Sequence, residues 1–180
     1  EMAEYAENHL ADQGIMTLLD TKLEGVEGNG TVEKVKTSRR AIKADALVLS
    51  LGIRANTAFL ADTGIELAPN RTILVDDHMR TNDEDIYALG DCSMITNRMT
   101  HQRAWSPMGS SANIEGRIAA QNIAGGDVSY PGVLGTGVVK LPGLNAGRTG
   151  LTEQAAKDAG HDVVSVVAVV DDKAHYYPGA

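Results

Sequence analysis

TNDEDIYALGD, residues 81–91, predicts a short apolar strand that ends in a Gly-Asp turn. The strand covers residues 86–89, and Gly90 allows the backbone to approach a ligand closely. Asp91 would lie at the carboxyl end of this strand, where open α/β sheets bind their ligands, and could accept a hydrogen bond from a sugar hydroxyl. Taken as spacing alone, Gly-Asp after a strand is more often an ordinary turn, so the interpretation depends on the surrounding segments.

The residues on the N-terminal side of this turn predict alternating helices and strands. Apolar residues at helical spacing indicate a helix over residues 2–10, and Gly14 is placed to end it in a left-handed conformation. Residues 28–30, Gly-Asn-Gly, favour a hairpin turn because Asn and Gly tolerate a positive φ. Continuous apolar runs predict strands over residues 15–19 and 46–51, the second of them central to a sheet.

The C-terminal side continues the alternation. We expect a helix that begins at a Ser110 or Ser111 cap, and a second, shorter helix capped by Thr152. Strands are expected over residues 137–141 and 163–170, and the two would form an apolar sheet with unpaired edges that favour association. The apolar residues of the first of these helices are Ile114, Ile118 and Ile123.

The composition indicates a globular α/β or mixed α+β protein. The chain has 180 residues, 43% of them hydrophobic, with 19 glycines and 5 prolines. Its formal net charge of -8 argues against a nucleic-acid partner, because phosphate binding relies on clustered Lys and Arg. No run approaches the roughly 18 apolar residues of a membrane helix, so we expect no membrane span. The single cysteine, Cys92, excludes an internal disulfide and suits a reducing cytoplasm.

Residues 81–92 resemble the second flavin-contacting motif of the pyridine nucleotide-disulfide oxidoreductases. In that family the aspartate of the motif, here Asp91, binds the ribitol chain of FAD. Residues 44–57, ADALVLSLGIRANT, are similar to the family's crossing strand between its nicotinamide and flavin domains. The segments that resemble the coenzyme A-disulfide reductase and NADH oxidase branch are PMGSSAN at 107–113, PGVLGT at 131–136, GLTE at 150–153 and HYYPG at 175–179.

This resemblance implies an α/β fold of mixed α+β character in three parts. Residues 1–51 would be the end of a nicotinamide-binding Rossmann-like domain, and residues 52–128 the second segment of an FAD-binding domain. Residues 129–180 would begin a dimerisation domain, so the protein would be a homodimer. It would pass hydride from NAD(P)H through FAD to a small-molecule disulfide or persulfide, similar to coenzyme A disulfide, or to oxygen.

We do not expect the chain to be catalytic on its own. The two Gly-x-Gly-x-x-Gly loops of the family have no counterpart in the sequence, nor does the redox cysteine of its N-terminal flavin segment. The chain also begins midway through an amphipathic pattern, so we expect a portion of a larger oxidoreductase. Two alternatives remain open: a non-catalytic dimerisation or binding module, and a flavin reductase that serves a small iron-sulfur protein.

The resemblance also assigns roles to single residues. The helix that begins near Ser110 would direct its positive end towards the pyrimidine edge of the flavin, stabilising reduced flavin by roughly 1 kcal/mol. Asn113 would adjoin the substrate pocket, although an Asn in the first turn is as often a capping or surface residue. Tyr176 or, by slight preference, Tyr177 would reach the partner's active site and donate an O–H. The residues assigned to FAD are Gly52, Gly90, Asp91, Met108, Gly109, Ser110 and Ala112.

Cys92 is more easily explained as a small packed residue than as the nucleophile. The neighbouring Asp91 disfavours a thiolate by like-charge repulsion. A metal site is not expected either, because no paired ligand spacing connects the histidines, which are His9, His78, His101, His161 and His175.

Overall fold

The computed structural model describes residues 2–170 and residue 176. Its fold is mixed α/β, as the sequence predicts, with small sheets rather than one large sheet. None of the helices in the described ranges combines the length and the apolar character that crossing a bilayer requires. The helices are α1, Met2–Asp12, α2, Gly109–Ile123, and α3, Glu153–Asp158, with short 3-10 turns at Ala58–Leu60 and Gly90–Cys92.

Three antiparallel strands follow α1: β1, Leu23–Glu27, β2, Lys34–Thr37, and β3, Ala41–Lys43. The first two flank residues 28–30, which confirms the hairpin expected from Gly-Asn-Gly. The helix expected before them is also confirmed, and Gly14 has the left-handed φ of +76° that its place beyond the helix end requires.

The core of the protein surrounds the middle sheet. This sheet consists of β4, Ile73–Leu74, paired in parallel with β5, Ser93–Thr96, which pairs in antiparallel with β6, Arg103–Ala104. Helix α2 supplies two apolar residues to the core. The buried residues of this cluster are Ile65, Ile73, Val75, Met79, Ala88, Ile95, Ile118, Ala119, Tyr130 and Val133.

The C-terminal part begins with a hairpin of β7, Gly137–Leu141, and β8, Leu144–Arg148. Helix α3 follows, and the Thr152 hydroxyl accepts a hydrogen bond from the Ala155 N–H at 3.2 Å, which confirms the predicted cap. The strand expected at 137–141 is confirmed as well, but its described partner is β8 and not residues 163–170.

Three predicted strands are wrong for the described structure. Residues 15–19, 46–51 and 163–170 form neither helix nor strand, and Val48 and Val164 are 88% and 92% exposed. The apolar runs satisfy the strand pattern, but a β-ladder also needs a hydrogen-bonding neighbour, and no described strand pairs with these segments.

The predictions for residues 86–89 and for α2 also need correction. Residues 86–89 contribute only an isolated bridge between Arg80 and Tyr87, because this segment folds back tightly on the preceding one. The N-cap residue of α2 is Met108 rather than a serine, and its side chain makes no capping hydrogen bond. Of the three predicted apolar residues of α2 only Ile118 is buried; the buried residues of the helix are Ser111, Glu115, Ile118, Ala119 and Asn122.

Candidate functional site

The Gly-Asp turn packs directly against the first half of α2. Gly90 has a φ of +79°, a left-handed conformation that favours glycine. A Cβ placed on Gly90 would lie 3.6 Å from the Cβ of Ala112, so the turn and the helix are in van der Waals contact there. The structure therefore brings together Gly90, Asp91 and Ala112, three of the residues predicted to bind a cofactor.

Glu115 contacts this turn from the buried face of α2. Its side chain is fully buried, with 0% exposure, one helical turn beyond Ser111. The backbone N–H of Gly90 donates to Glu115 Oε2 at 2.6 Å, and the Ser93 hydroxyl lies 3.0 Å from the same oxygen. Burial raises the pKa of Glu115, and the nearby Asp91 raises it further, whereas the hydrogen bonds from Gly90 and Ser93 lower it.

The side chain of Asp91 is exposed. Its backbone carbonyl accepts a hydrogen bond from Trp105 Nε1–H at 2.9 Å, which ties the turn to the segment that leads into the helix. In the same segment the hydroxyls of Ser106 and Ser111 lie 2.9 Å apart. The side chain of the N-cap residue, Met108, does not cap α2, so it leaves the positive end of the helix open.

The first residues of α2 line this exposed end. Met108, Gly109 and Ser110 are all exposed, as residues that contact a cofactor must be before it binds. Asn113, the residue after Ala112, is also exposed. Several cavities lie close to this end of the helix. One of about 370 Å³ includes Trp105 and Met108.

A further cavity joins the segment after Gly52 to Trp105. It measures about 560 Å³, and Ile53, Arg54 and Arg71 line it together with Trp105. Gly52 itself has a left-handed φ of +86°. A Cβ at Gly52 would have no heavy atom within 4 Å, so its glycine is explained by the backbone conformation and not by close packing.

Of the two predicted catalytic tyrosines, the structure describes only Tyr176. Tyr176 is 83% exposed, and Tyr177 lies outside the described residues, as do the other residues of the 175–179 motif. Their assignment therefore remains a prediction.

Cys92 has the environment of a packed thiol. Burial raises its pKa, and Glu115 and then Asp91 raise it further by like-charge repulsion, while a backbone hydrogen bond lowers it. The Cys92 thiol donates to the Leu89 carbonyl at 3.4 Å. Both observations agree with the expectation that Cys92 is not an activated nucleophile.

A second group of ionisable side chains lies at Asp76, Asp77 and His78, where the ligand atoms are within 4.8 Å of one another. The ring nitrogens of His78 are each 2.9 Å from a carboxylate oxygen, Nδ1 from Asp77 and Nε2 from Asp127. The hydroxyl of Ser129 donates to the second oxygen of Asp77 and lowers its pKa, and His78 adds a smaller effect in the same direction. These contacts explain the group as a hydrogen-bonded surface cluster.

Sequence reasoning missed Glu115, Ser93 and Trp105. The signal for Glu115 was available, because it lies four residues after Ser111 and three before Ile118, on the same face of the helix. A glutamate on the buried face of a helix needs an explanation. No comparable signal marks Ser93 or Trp105, whose contacts depend on the tertiary structure.

Comparisons with known proteins found similar sequences and similar folds. Residues 1–109 match the model of the family described as pyridine nucleotide-disulphide oxidoreductase. A CoA-dependent NAD(P)H sulfur oxidoreductase of Pyrococcus furiosus is 37% identical over 161 residues, which cover 89% of this chain and 36% of the relative. An NADH oxidase of Methanocaldococcus jannaschii is 32% identical over 179 residues, or 99% of this chain and 40% of the relative.

A solved structure shows the same fold. The crystal structure of an FAD-dependent pyridine nucleotide-disulphide oxidoreductase from Desulfovibrio vulgaris superposes with a TM-score of 0.80 at 38% identity. The match covers 91% of this chain and 41% of that one. The chain thus spans about two fifths or less of the length of these relatives.

Proposed function

Because this chain belongs to the pyridine nucleotide-disulphide oxidoreductase family, we propose that it supplies one side of an FAD site in an NAD(P)H-dependent oxidoreductase. The observation that carries the proposal is the contact between the Gly90–Asp91 turn and the uncapped N-terminus of α2. An acceptor carboxylate and the positive end of a helix then face the same ligand.

The side chains present fit FAD. The exposed Asp91 carboxylate would accept hydrogen bonds from hydroxyls of the ribityl chain. The first turn of α2, from Gly109, would stabilise negative charge on the pyrimidine edge of the ring through its N–H groups and its dipole. Gly90 keeps the backbone in a conformation that lets both groups face the ligand. When bound, FAD supplies the acceptance and transfer of hydride.

For the reaction, we propose hydride transfer from NAD(P)H through FAD to a disulfide or persulfide, with oxygen as the other acceptor. The name of the P. furiosus relative supports a sulfur acceptor that involves CoA, and the name of the M. jannaschii relative supports oxygen. The chemistry belongs to the longer gene product, because the sequence contains neither Gly-x-Gly-x-x-Gly loop nor a redox cysteine in a suitable environment.

The remaining assignments are proposals on the same basis. Residues 1–51 would belong to the nicotinamide domain, residues 52–128 to the flavin domain, and residues 129–180 to a dimerisation domain of a cytoplasmic homodimer. Gly52 and Met108 would contact FAD. Asn113 would border the substrate pocket, and Tyr176 or Tyr177 would reach the active site of the partner.

The test is to express the full-length gene product and record its visible spectrum before and after anaerobic addition of stoichiometric NADH. We expect a flavin absorption band that bleaches. The matched variants are Asp91→Ala and Asp85→Ala, which each remove one exposed carboxylate from the same acidic segment. Loss of a charge-assisted hydrogen bond should weaken FAD binding about tenfold or more in Asp91→Ala, and Asp85→Ala should bind as wild type does. A colourless wild-type protein would refute the proposal.

A further inference from the structure

Glutamate is an unusual residue type for the buried face of α2, where Glu115 lies. Its carboxyl group is fully enclosed, and Oε1 has no hydrogen-bond partner among the described residues. A buried carboxyl group with an unsatisfied oxygen costs free energy that an apolar side chain at the same place would not cost. Its presence there therefore indicates a role for the other oxygen, Oε2.

That other oxygen joins three elements at one point. Oε2 accepts the Gly90 N–H, from the start of the 3-10 turn, and lies in hydrogen-bond contact with Ser93, the first residue of β5. The Ser93 hydroxyl also lies 2.9 Å from the Gly90 carbonyl oxygen. Glu115 and Ser93 thus contact both the N–H and the C=O of Gly90, the residue immediately before Asp91.

The contacts among Glu115, Ser93 and Gly90 depend on where the Ser93 and Glu115 protons lie. The Ser93 hydroxyl has a single proton, which can be donated either to the Gly90 carbonyl or to Glu115, but not to both at once. If Glu115 were protonated, it would donate to Ser93 Oγ and leave the serine proton for Gly90, and both contacts would be satisfied. Asp91 raises the pKa of Glu115 by like-charge repulsion, and Glu115 in turn raises the pKa of the Cys92 thiol and of the Tyr130 hydroxyl.

We propose that Glu115 is a positioning residue which, through Gly90 and with Ser93, holds the turn in the conformation that presents Asp91 to FAD. The inference rests on the proposed function, since it concerns the same cofactor. Glu115 does not itself contact the ligand in this proposal. Its role is to fix a left-handed glycine turn, whose backbone would otherwise have many accessible conformations.

The test compares FAD affinity with stability in the full-length gene product, using Glu115→Ala, Glu115→Gln and Asn122→Ala. Affinity is measured from the flavin released at equilibrium, and stability from thermal unfolding of the apoprotein. Glu115→Ala should weaken FAD binding about tenfold. Glu115→Gln keeps an oxygen that can accept the Gly90 N–H, so it should bind within about threefold of wild type, although its buried NH2 lowers stability.

Asn122→Ala is the control for simple destabilisation. Asn122 is a buried polar residue of the same helix, but it contacts His78 and Val128 rather than the turn. It should lower the unfolding temperature and leave FAD affinity unchanged. If Glu115→Ala does not fold, Ser93→Ala provides the second measurement, and it should weaken FAD binding while Asn122→Ala does not.

The outcomes separate the two proposals. A wild-type protein without FAD refutes the proposed function, whatever the variants do. A wild-type protein that binds FAD refutes the role of Glu115 if Glu115→Ala binds equally well, if Glu115→Gln is as defective as Glu115→Ala, or if Asn122→Ala loses as much affinity. Where Ser93→Ala is the deciding variant, unchanged affinity refutes the role.

Discussion

Replacing Asn122 by alanine should lower the free energy of unfolding by about 3 kcal/mol. Asn122 is 4% exposed, and its amide makes three hydrogen bonds. Nδ2 donates to the carbonyls of His78 at 3.0 Å and Val128 at 2.9 Å, and Oδ1 accepts the Val128 N–H at 2.8 Å. Each bond contributes about 1 kcal/mol, and the alanine leaves their backbone partners without a replacement.

The assay is urea-induced unfolding of wild type, Asn122→Ala and a control variant, Gln121→Ala. The control truncates an exposed neighbour on the same helix. The control should stay within about 0.5 kcal/mol of wild type. For a protein of this size, 3 kcal/mol corresponds to a fall of about 6–12 °C in the thermal midpoint. A loss below about 1 kcal/mol would refute the reasoning, because it would mean that the three bonds do not fix the loop after α2.

Three further changes test other parts of the structure in the same unfolding assay. Gly132→Ala should lower the free energy of unfolding by at least about 1 kcal/mol more than Gly135→Ala does. Both residues have a positive φ, but of the two only Gly132 would place a Cβ against a backbone oxygen, at 2.6 Å. Equal losses in the two variants would contradict this. Thr152→Ala should cost about 1 kcal/mol by removing the cap of α3, whereas Thr152→Ser should cost little, and an equal loss in both would argue against the cap. Burial raises the folded-state pKa of Glu115 above its unfolded value of about 4.3. The free energy of unfolding of wild type should therefore fall relative to that of Glu115→Gln as the pH rises from about 4.3 through the raised pKa. A difference in stability that does not change with pH would contradict the shift.

The features that the sequence predicts correctly depend on adjacent residues. The hairpin follows from Gly-Asn-Gly at residues 28–30, and the start of α3 follows from the Thr152 hydroxyl three residues before the N–H that it accepts. Neither feature needs a distant partner, so a local pattern is sufficient. The left-handed φ at Gly90 belongs to this group, since glycine permits it without strain, although the contacts that hold the turn come from distant residues.

The features that the sequence predicts wrongly, or misses, depend on distant residues. The apolar runs at 46–51 and 163–170 have strand composition, but pairing is decided by whether another strand lies beside them. The buried face of α2 was assigned from its isoleucines, yet Ile114 and Ile123 are 49% and 64% exposed while Glu115 is buried. Its burial is compensated by Gly90, 25 residues earlier in the chain, which periodicity cannot reveal.

The indole of Trp105 gives this protein a built-in optical probe. It is the sole tryptophan of the sequence, and its N–H is bonded to the carbonyl of Asp91. Within this chain, excitation at the red edge of protein absorption therefore reports on one position, at the turn itself. An oxidised flavin absorbs where indole emits, so loading of the site would quench that emission by energy transfer. Occupancy could be followed in real time without a label, and without mutating any residue of the site.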